Sequence, residues 1–119
     1  MVDYLNKLEF AIIQEVFKSK TTSKENLFLL EYLPFLKVVE RDFTGVGLYV
    51  KFDYDNIKQI EFNENLNANL SSNKSLKFDS FEEYFSFELS IDKGKFNYIE
   101  IVTYDDGWDG KYDSFSFED

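Results

Sequence analysis

Two runs of alternating apolar and polar residues meet at a glycine-containing break between Val38 and Tyr54. From Leu48 onward, every second residue is apolar, and Tyr, Lys and Asp stand between them. A period of two is typical of a strand with one face in the core. The break reads T-G-V-G, and we expect Gly45 and Gly47 to supply the positive φ that a tight turn requires. The stretch therefore predicts a β-hairpin.

The N-terminal third favours two helices. Between residues 2 and 18, apolar residues recur at intervals of three and four, which predicts an amphipathic helix. A second helix is expected to begin at Thr22, because Thr22 and Glu25 have the spacing of a capping box. It should end just before Pro34, since proline lacks an amide donor and disfavours a helical residue before it.

The second half favours two further strands and one long loop. Residues 84–91 alternate strictly, the turn D-K-G-K follows, and residues 96–104 carry apolar side chains on both faces, which predicts a central strand covered on each side. Residues 63–75 include five Asn and three Ser, which predicts a surface connection, with a binding loop as the alternative. A weaker strand pattern covers 58–62. The C-terminal residues 105–119 are expected to leave the sheet.

This order of elements predicts an α+β fold in one domain over residues 1–119, with two N-terminal helices packed on one antiparallel sheet of four or five strands. Apolar residues make up 44% of the chain, including 14 Phe and 8 Tyr, so the core should be rich in phenylalanine. The absence of cysteine excludes disulfides and thiolate metal sites and favours the cytoplasm. We also expect no secretory signal and no membrane-spanning segment.

The charge of the chain is strongly acidic and uneven. Its 13 basic and 23 acidic residues give a net charge of −10. Residues 61–119 hold 5 basic and 14 acidic groups, so this half carries −9 of the total. Such a field repels nucleic acid and anionic lipid and attracts basic proteins. The alternative is an acidic surface that serves only solubility.

The densest set of functional candidates follows the last strand, in the run D-D-G-W-D-G-K-Y-D. Its carboxylates do not have the spacing of a calcium-binding loop, so we expect no metal site. Trp108 either caps the core, which is the favoured interpretation, or anchors a partner. The residues predicted to bind a partner are Asp105, Asp106, Trp108, Asp109, Tyr112 and Asp113.

Catalytic chemistry has little support in the sequence. Arg41 is the only arginine, and a cross-strand ion pair on an exposed face is favoured over an anion-binding role. Without His or Cys, acid–base and nucleophilic roles would fall to other side chains, and no nucleotide-binding or hydrolase motif is present. We therefore expect neither an enzyme nor a cofactor.

Two stretches resemble short motifs of a group of small bacterial proteins of unknown biochemistry. The stretch R-D-F-T-G-V-G-L-Y-V-K-F begins at Arg41, and Y-I-E-I-V-T-Y-D-D-G-W-D begins at Tyr98. That group shares an R-E-F-T-G-V-G-F-F-like hairpin and a later L-E-x-x-x-Y motif followed by an acidic residue and Trp-Pro, where this chain has Asp109 in place of Pro. The matching residues of the later motif are Ile99, Glu100, Tyr104 and Trp108. The resemblance implies a fold more than an activity.

More loosely, a small, acidic, cysteine-free α+β chain is similar in type to bacterial immunity proteins that neutralise toxin domains. The leading hypothesis is a stoichiometric inhibitor whose acidic C-terminal half binds a basic partner such as a nuclease toxin domain. One alternative is a small-molecule binding module with an aromatic-lined pocket. Another is a structural subunit that self-associates through a sheet edge.

Overall fold

The computed structural model describes residues 4–19, 24–54, 64–103, 108, 112 and 114–119. It contains one α-helix, one 3-10 helix and seven strands. In chain order these are α1 (Lys7–Lys18), the 3-10 helix (Lys24–Phe35), β1 (Leu36–Phe43), β2 (Gly47–Tyr54), β3 (Ala68–Leu70), β4 (Ser75–Phe78), β5 (Tyr84–Asp92), β6 (Lys95–Thr103) and β7 (Phe115–Glu118).

All seven strands belong to one antiparallel sheet. The strand order is β1-β2-β6-β5-β4-β7, and β3 pairs with β5 as well. β3 meets the C-terminal half of β5, whereas β4 meets its first residues. The sheet therefore has a split side, on which two short strands share one long neighbour.

The predicted fold class is wrong in two respects. The sheet has seven strands instead of four or five, and only the first of the two helices is an α-helix. The three additional strands are three or four residues long, which is too short to leave a clear periodic signal. The connection predicted over 63–75 contains β3 and the first residue of β4, and the C-terminus returns to the sheet as β7.

The first hairpin is confirmed, and its two glycines have different roles. The amide of Thr44 donates a hydrogen bond to the carbonyl oxygen of Gly47 at 3.0 Å, which closes the turn. Gly45 has φ +88°, as predicted. Gly47 does not have a positive φ, because it is already part of β2. A Cβ on Gly47 would lie 2.5 Å from the carbonyl oxygen of Ile101. Gly47 allows β2 and β6 to approach each other.

The second hairpin, β5 to β6, is also confirmed. Lys93 and Gly94 form its two-residue turn with φ values of 52° and 77°, and two positive φ angles are what the right-handed twist of paired strands favours. β6 lies between β2 and β5, so it is central in the sheet as predicted.

α1 is confirmed as an amphipathic helix, and an unpredicted capping box begins it. The Asn6 side chain accepts a hydrogen bond from the Glu9 amide, and the Glu9 carboxylate accepts one from the Asn6 amide, both at 2.9 Å. The capping box predicted at Thr22 lies outside the described residues. The apolar residues that α1 buries are Leu8, Ile12, Ile13, Val16 and Phe17.

The second helix differs from its prediction in type and in length. It is a 3-10 helix of twelve residues, and Pro34 lies inside it with one helical residue after it. The expected end before Pro34 is therefore wrong. Neither of the two described helices is long and apolar enough to cross a membrane.

The two faces of the sheet have different environments. One face, which we call the covered face, packs against α1 and is fully apolar along its middle. Its buried residues include Leu48, Val50, Leu76, Phe78, Phe85, Phe87, Leu89, Ile99 and Ile101. The alternate positions form the other face, which we call the open face. Away from the β5–β6 turn, it carries Lys37, Glu40, Asp42, Tyr49, Lys51, Asp53, Lys77, Tyr84, Ser86, Glu88, Tyr98, Glu100, Val102, Ser116 and Glu118.

This arrangement corrects the expectation that β6 is covered on each side. Ile99 and Ile101 are buried on the covered face, whereas Tyr98, Glu100 and Val102 are only half-buried on the open face. Tyr98 and Val102 are apolar enough to look like core residues in the sequence, but both remain partly exposed to solvent. They account for the apolar pattern on both sides of β6.

Candidate functional site

The acidic tail that was predicted to bind a partner is described at two of its six positions. Trp108 and Tyr112 are placed, whereas the four carboxylates lie outside the described residues. Those four residues are Asp105, Asp106, Asp109 and Asp113.

Trp108 lies in the core, with 3% of its surface exposed. Its ring stacks on Phe78, with ring centroids 5.9 Å apart, and meets Phe85 edge-on at 5.0 Å. This is the position that the capping interpretation describes. Contact of the Trp108 ring with a partner stays a prediction.

Tyr112 lies at the margin of the same aromatic cluster. Its ring stacks on Phe78 at 5.1 Å, and 36% of the residue is exposed. Burial raises the pKa of the Tyr112 hydroxyl, and the nearby Glu9 charge raises this pKa further, whereas Arg41 opposes the shift. Tyr112 therefore lies close to the only described ion pair of the covered face.

That ion pair joins Arg41 to Glu9, which is 1% exposed. Arg41 Nε donates to Glu9 Oε2 at 2.7 Å, and Nη2 donates to Glu9 Oε1 at 2.9 Å. Glu9 Oε1 also accepts the amide of Asn6, so both carboxylate oxygens have partners. The prediction of a cross-strand pair for Arg41 is wrong. Arg41 instead connects β1 to α1 by donating two hydrogen bonds to the Glu9 carboxylate, so its role is to stabilise the fold.

The open face has more negative than positive charge available to a partner. Away from the β5–β6 turn, it carries six carboxylates and three lysines. Lys37 is the cross-strand neighbour of Asp53, and the other two lysines are already engaged. Lys51 pairs with Glu40 at 3.3 Å, and the Lys77 ammonium donates to the carbonyl oxygens of Phe78, at 2.8 Å, and of Phe81. In the part of the chain that the structure describes, no basic side chain pairs with Asp42, Glu88 or Glu100.

Two of these carboxylates oppose each other directly. Glu88 on β5 is the cross-strand neighbour of Glu100 on β6. Like charges in this position destabilise a sheet. The Tyr49 hydroxyl donates a short hydrogen bond to Glu100 Oε2, and this bond and the Glu100 charge raise the pKa of Tyr49. Glu88 has no comparable donor among the described residues.

Tyrosine rings accompany these charges. Tyr49 and Tyr98 meet edge-on with centroids 5.4 Å apart. Tyr49 is the cross-strand neighbour of Glu100, and Tyr98 precedes Glu100 by two residues on β6. Tyr84, on the other end of β5, is 46% exposed. Tyrosine is enriched among residues that dominate binding energy, and its ring face attracts lysine and arginine side chains.

Two shallow polar recesses lie along β5 on this face. One, of about 300 Å³, is lined by Glu88 and Glu100 together with the 71–75 segment that bridges β3 and β4. The other, of about 390 Å³, is lined by Tyr98, Asn97 and the 67–69 segment. The serine and asparagine side chains of these segments supply hydrogen-bond donors and acceptors at the margin of the acidic area. The open face therefore offers charge, aromatic surface and hydrogen bonds together.

Metal ligation has no support in the described ranges, where no three acidic side chains converge. The carboxylates of the tail at 105, 109 and 113 are not among those ranges.

The sequence contained signals for some of this surface. The strict alternation of β5 placed Tyr84, Ser86 and Glu88 on one side, and the alternation of β2 placed Tyr49 opposite the core. The pairing of β2, β5 and β6 in one register, which brings Glu88, Glu100 and Tyr49 together, had no signal, because pairing partners lie far apart in the chain.

Comparisons of the chain with protein-family models, with curated proteins and with solved structures gave no match. A function for this chain therefore has to be inferred from the chemistry of its own surface.

Proposed function

We propose that this protein is a stoichiometric binding protein of the immunity or antitoxin kind, which acts in the cytoplasm by covering a basic surface of a partner such as a nuclease toxin domain. The observation that carries the proposal is the open face, where Asp42, Glu88 and Glu100 have no basic partner among the described residues and lie beside Tyr49 and Tyr98. The predicted tail carboxylates remain candidate contacts.

Charge contributes first to the encounter. A net charge of −10 produces a long-range field that raises the association rate with a basic protein and is weakened by salt. The same field disfavours nucleic acid as a direct ligand. A basic protein is therefore the partner class with the best electrostatic fit.

The opposed pair Glu88 and Glu100 supports the same partner class at short range. In the free protein these two carboxylates repel each other across neighbouring strands. An arginine or lysine of the partner placed between them removes that repulsion and forms charge-assisted hydrogen bonds. The rings of Tyr49 and Tyr98 exclude water beside the contact.

The test begins with affinity purification of the tagged full chain from its native cells, followed by identification of the bound protein. We expect a basic partner whose activity is inhibited at an equimolar ratio. An acidic partner, or a basic one whose activity is unaffected at saturating concentrations, would contradict the proposal. Light scattering of the free protein distinguishes a monomeric inhibitor from a self-associating subunit.

A second measurement locates the surface. Glu88→Gln with Glu100→Gln should lower the association rate with that partner by about tenfold, because two steering charges are lost. Glu15→Gln with Glu31→Gln, which removes two acids of α1 and the 3-10 helix, is the matched control and should change the rate by less than about twofold. If both variants lower the rate equally, net charge acts without a local surface. If only tail substitutions lower it, the open face is not the contact.

A further inference from the structure

A recess of about 480 Å³ lies on a different part of the molecule from the open face. It is lined by Lys7, Tyr112, Ser114 and Phe115, where the first turn of α1 approaches the start of β7. Recesses that hold small organic molecules fall in this range of volume and combine apolar walls with a few polar groups.

Two aromatic rings form the walls of this recess. Tyr112 and Phe115 meet edge-on, with centroids 6.5 Å apart and an angle of 75° between the planes. Tyr112 is held from behind by Phe78, which is fully buried and stacks on it. Because the ring rests on the core, the recess presents a preformed flat apolar surface to a ligand.

The polar groups of the recess favour an anion. Lys7 is the first residue of α1, where the helix dipole is positive and a cation is locally unfavourable. Within the described ranges, its ammonium has no ion-pair partner. Glu9, two residues further along α1, is already neutralised by Arg41. Among the described residues that line the recess, Lys7 is the one charged side chain, in a chain whose net charge is −10.

We propose that this recess binds a small organic anion with a flat apolar body, of the aromatic carboxylate class. The carboxylate pairs with Lys7 Nζ, the Ser114 hydroxyl donates a hydrogen bond to it, and the ring packs against Tyr112 and Phe115. This site uses none of the open-face residues, although Tyr112 is also one of the tail positions that the sequence predicts to bind a partner.

The test uses 2-naphthoate and the neutral probe of the same shape, 2-naphthamide, with binding followed by amide chemical shifts in NMR. We expect naphthoate to shift the amides of Lys7, Ser114 and Phe115 saturably and to bind about tenfold more tightly than naphthamide, a difference of about 1.4 kcal/mol. Equal affinity of the two probes would overturn the anion preference. Shifts that map elsewhere, or that do not saturate, would overturn the site.

Lys7→Met is the decisive variant, and Lys18→Met at the opposite end of α1 is its matched control. Both lysines are exposed, so both variants should fold as the parent does. We expect Lys7→Met to remove the preference for naphthoate while naphthamide binds as before, and Lys18→Met to leave the preference unchanged. A preference that survives Lys7→Met would overturn the role of this lysine.

Discussion

A buried acid on the covered side of the sheet has a basic partner, whereas some acids on the open side have none among the described residues. On the covered face, Glu9 of α1 is buried and accepts three hydrogen bonds, two of them from Arg41. On the open face, Glu88 and Glu100 lie opposite each other without a basic partner in the described chain. A buried charge has to be paired because its desolvation cost is large, whereas a half-buried charge that still contacts water can be left without a basic partner at a lower cost.

This difference indicates where function is to be sought. The conspicuous charged residue of the sequence, Arg41, is explained by the stability of the fold. Asp42 and Glu88 on the open face have no such explanation, and the repulsion between Glu88 and Glu100 is unfavourable in the free protein. The acids that the fold does not need are the ones available to a partner.

The two faces should differ most in how much a substitution destabilises the protein, and two adjacent residues of β5 test this. Phe85 is 1% exposed and contacts Trp108, Phe78 and Phe81, whereas Tyr84 points to the open face. We expect Phe85→Ala to lower the free energy of unfolding by about 4 kcal/mol through loss of burial and creation of a cavity. Tyr84→Ala should lower it by less than about 1 kcal/mol. Urea denaturation measures both, and similar losses would mean that the open face is covered.

The second comparison concerns the two described ion pairs. Arg41→Ala leaves Glu9 buried without its charged partner and should lower the free energy of unfolding by about 3 kcal/mol. Lys51→Ala breaks the pair with Glu40, in which the side chains are 45% and 54% exposed, and should cost less than about 1 kcal/mol. Equal effects in urea denaturation would show that the Glu9 carboxylate is solvated.

The third comparison concerns two tyrosines whose pKa values are raised for different reasons. Burial raises the pKa of Tyr54 on β2, whereas the hydrogen bond to Glu100 raises the pKa of Tyr49. A raised pKa in the folded protein gives stability that is complete below the unfolded value near 10 and is lost as the pH rises through the folded value. We expect Glu100→Gln to lower the pKa of Tyr49 and to leave that of Tyr54 unchanged.

Ultraviolet absorbance of tyrosinate measures this change, and the difference between the parent and Tyr49→Phe isolates the Tyr49 titration. The Phe96 amide donates to the Tyr54 hydroxyl at 2.8 Å, so Tyr54 serves as an internal control with a different partner. An unchanged Tyr49 titration in Glu100→Gln would mean that the hydrogen bond to Glu100 does not form in solution.

The smallest expected effect is on tryptophan fluorescence, which distinguishes a partner bound to the open face from a partner bound to the tail. Trp108 is the only tryptophan, and its ring is enclosed by Phe78 and Phe85. If the partner binds the open face, the wavelength of tryptophan emission should not change on complex formation with a tryptophan-free partner variant. A clear shift would place the contact at the tail and favour the anchoring interpretation of Trp108.

Local patterns were sufficient where the structure depends on neighbours in the chain. The spacing of apolar residues identified α1, and strict alternation with a turn identified both hairpins. One further local signal is the capping-box spacing of Asn6 and Glu9 at the start of α1.

The remaining features had no local signal because they depend on distant parts of the chain. Arg41 and Glu9 are 32 residues apart, and whether an arginine faces solvent or a helix depends on which face α1 covers. The 3-10 form of the second helix has a weak apolar stripe, so its periodicity did not indicate its type. β3 is a strand because it pairs with β5, and β4 is one because it pairs with both β5 and β7.

The sequence by itself determined the antiparallel hairpins, the first helix, the phenylalanine-rich core and the strong negative charge. These follow from periodicity, turn chemistry and composition, which act over a few residues or over the whole chain. Only the tertiary structure decided which acids are paired and which are exposed. Strand register and helix placement set those neighbours, and both are settled by contacts between residues that are far apart in the sequence.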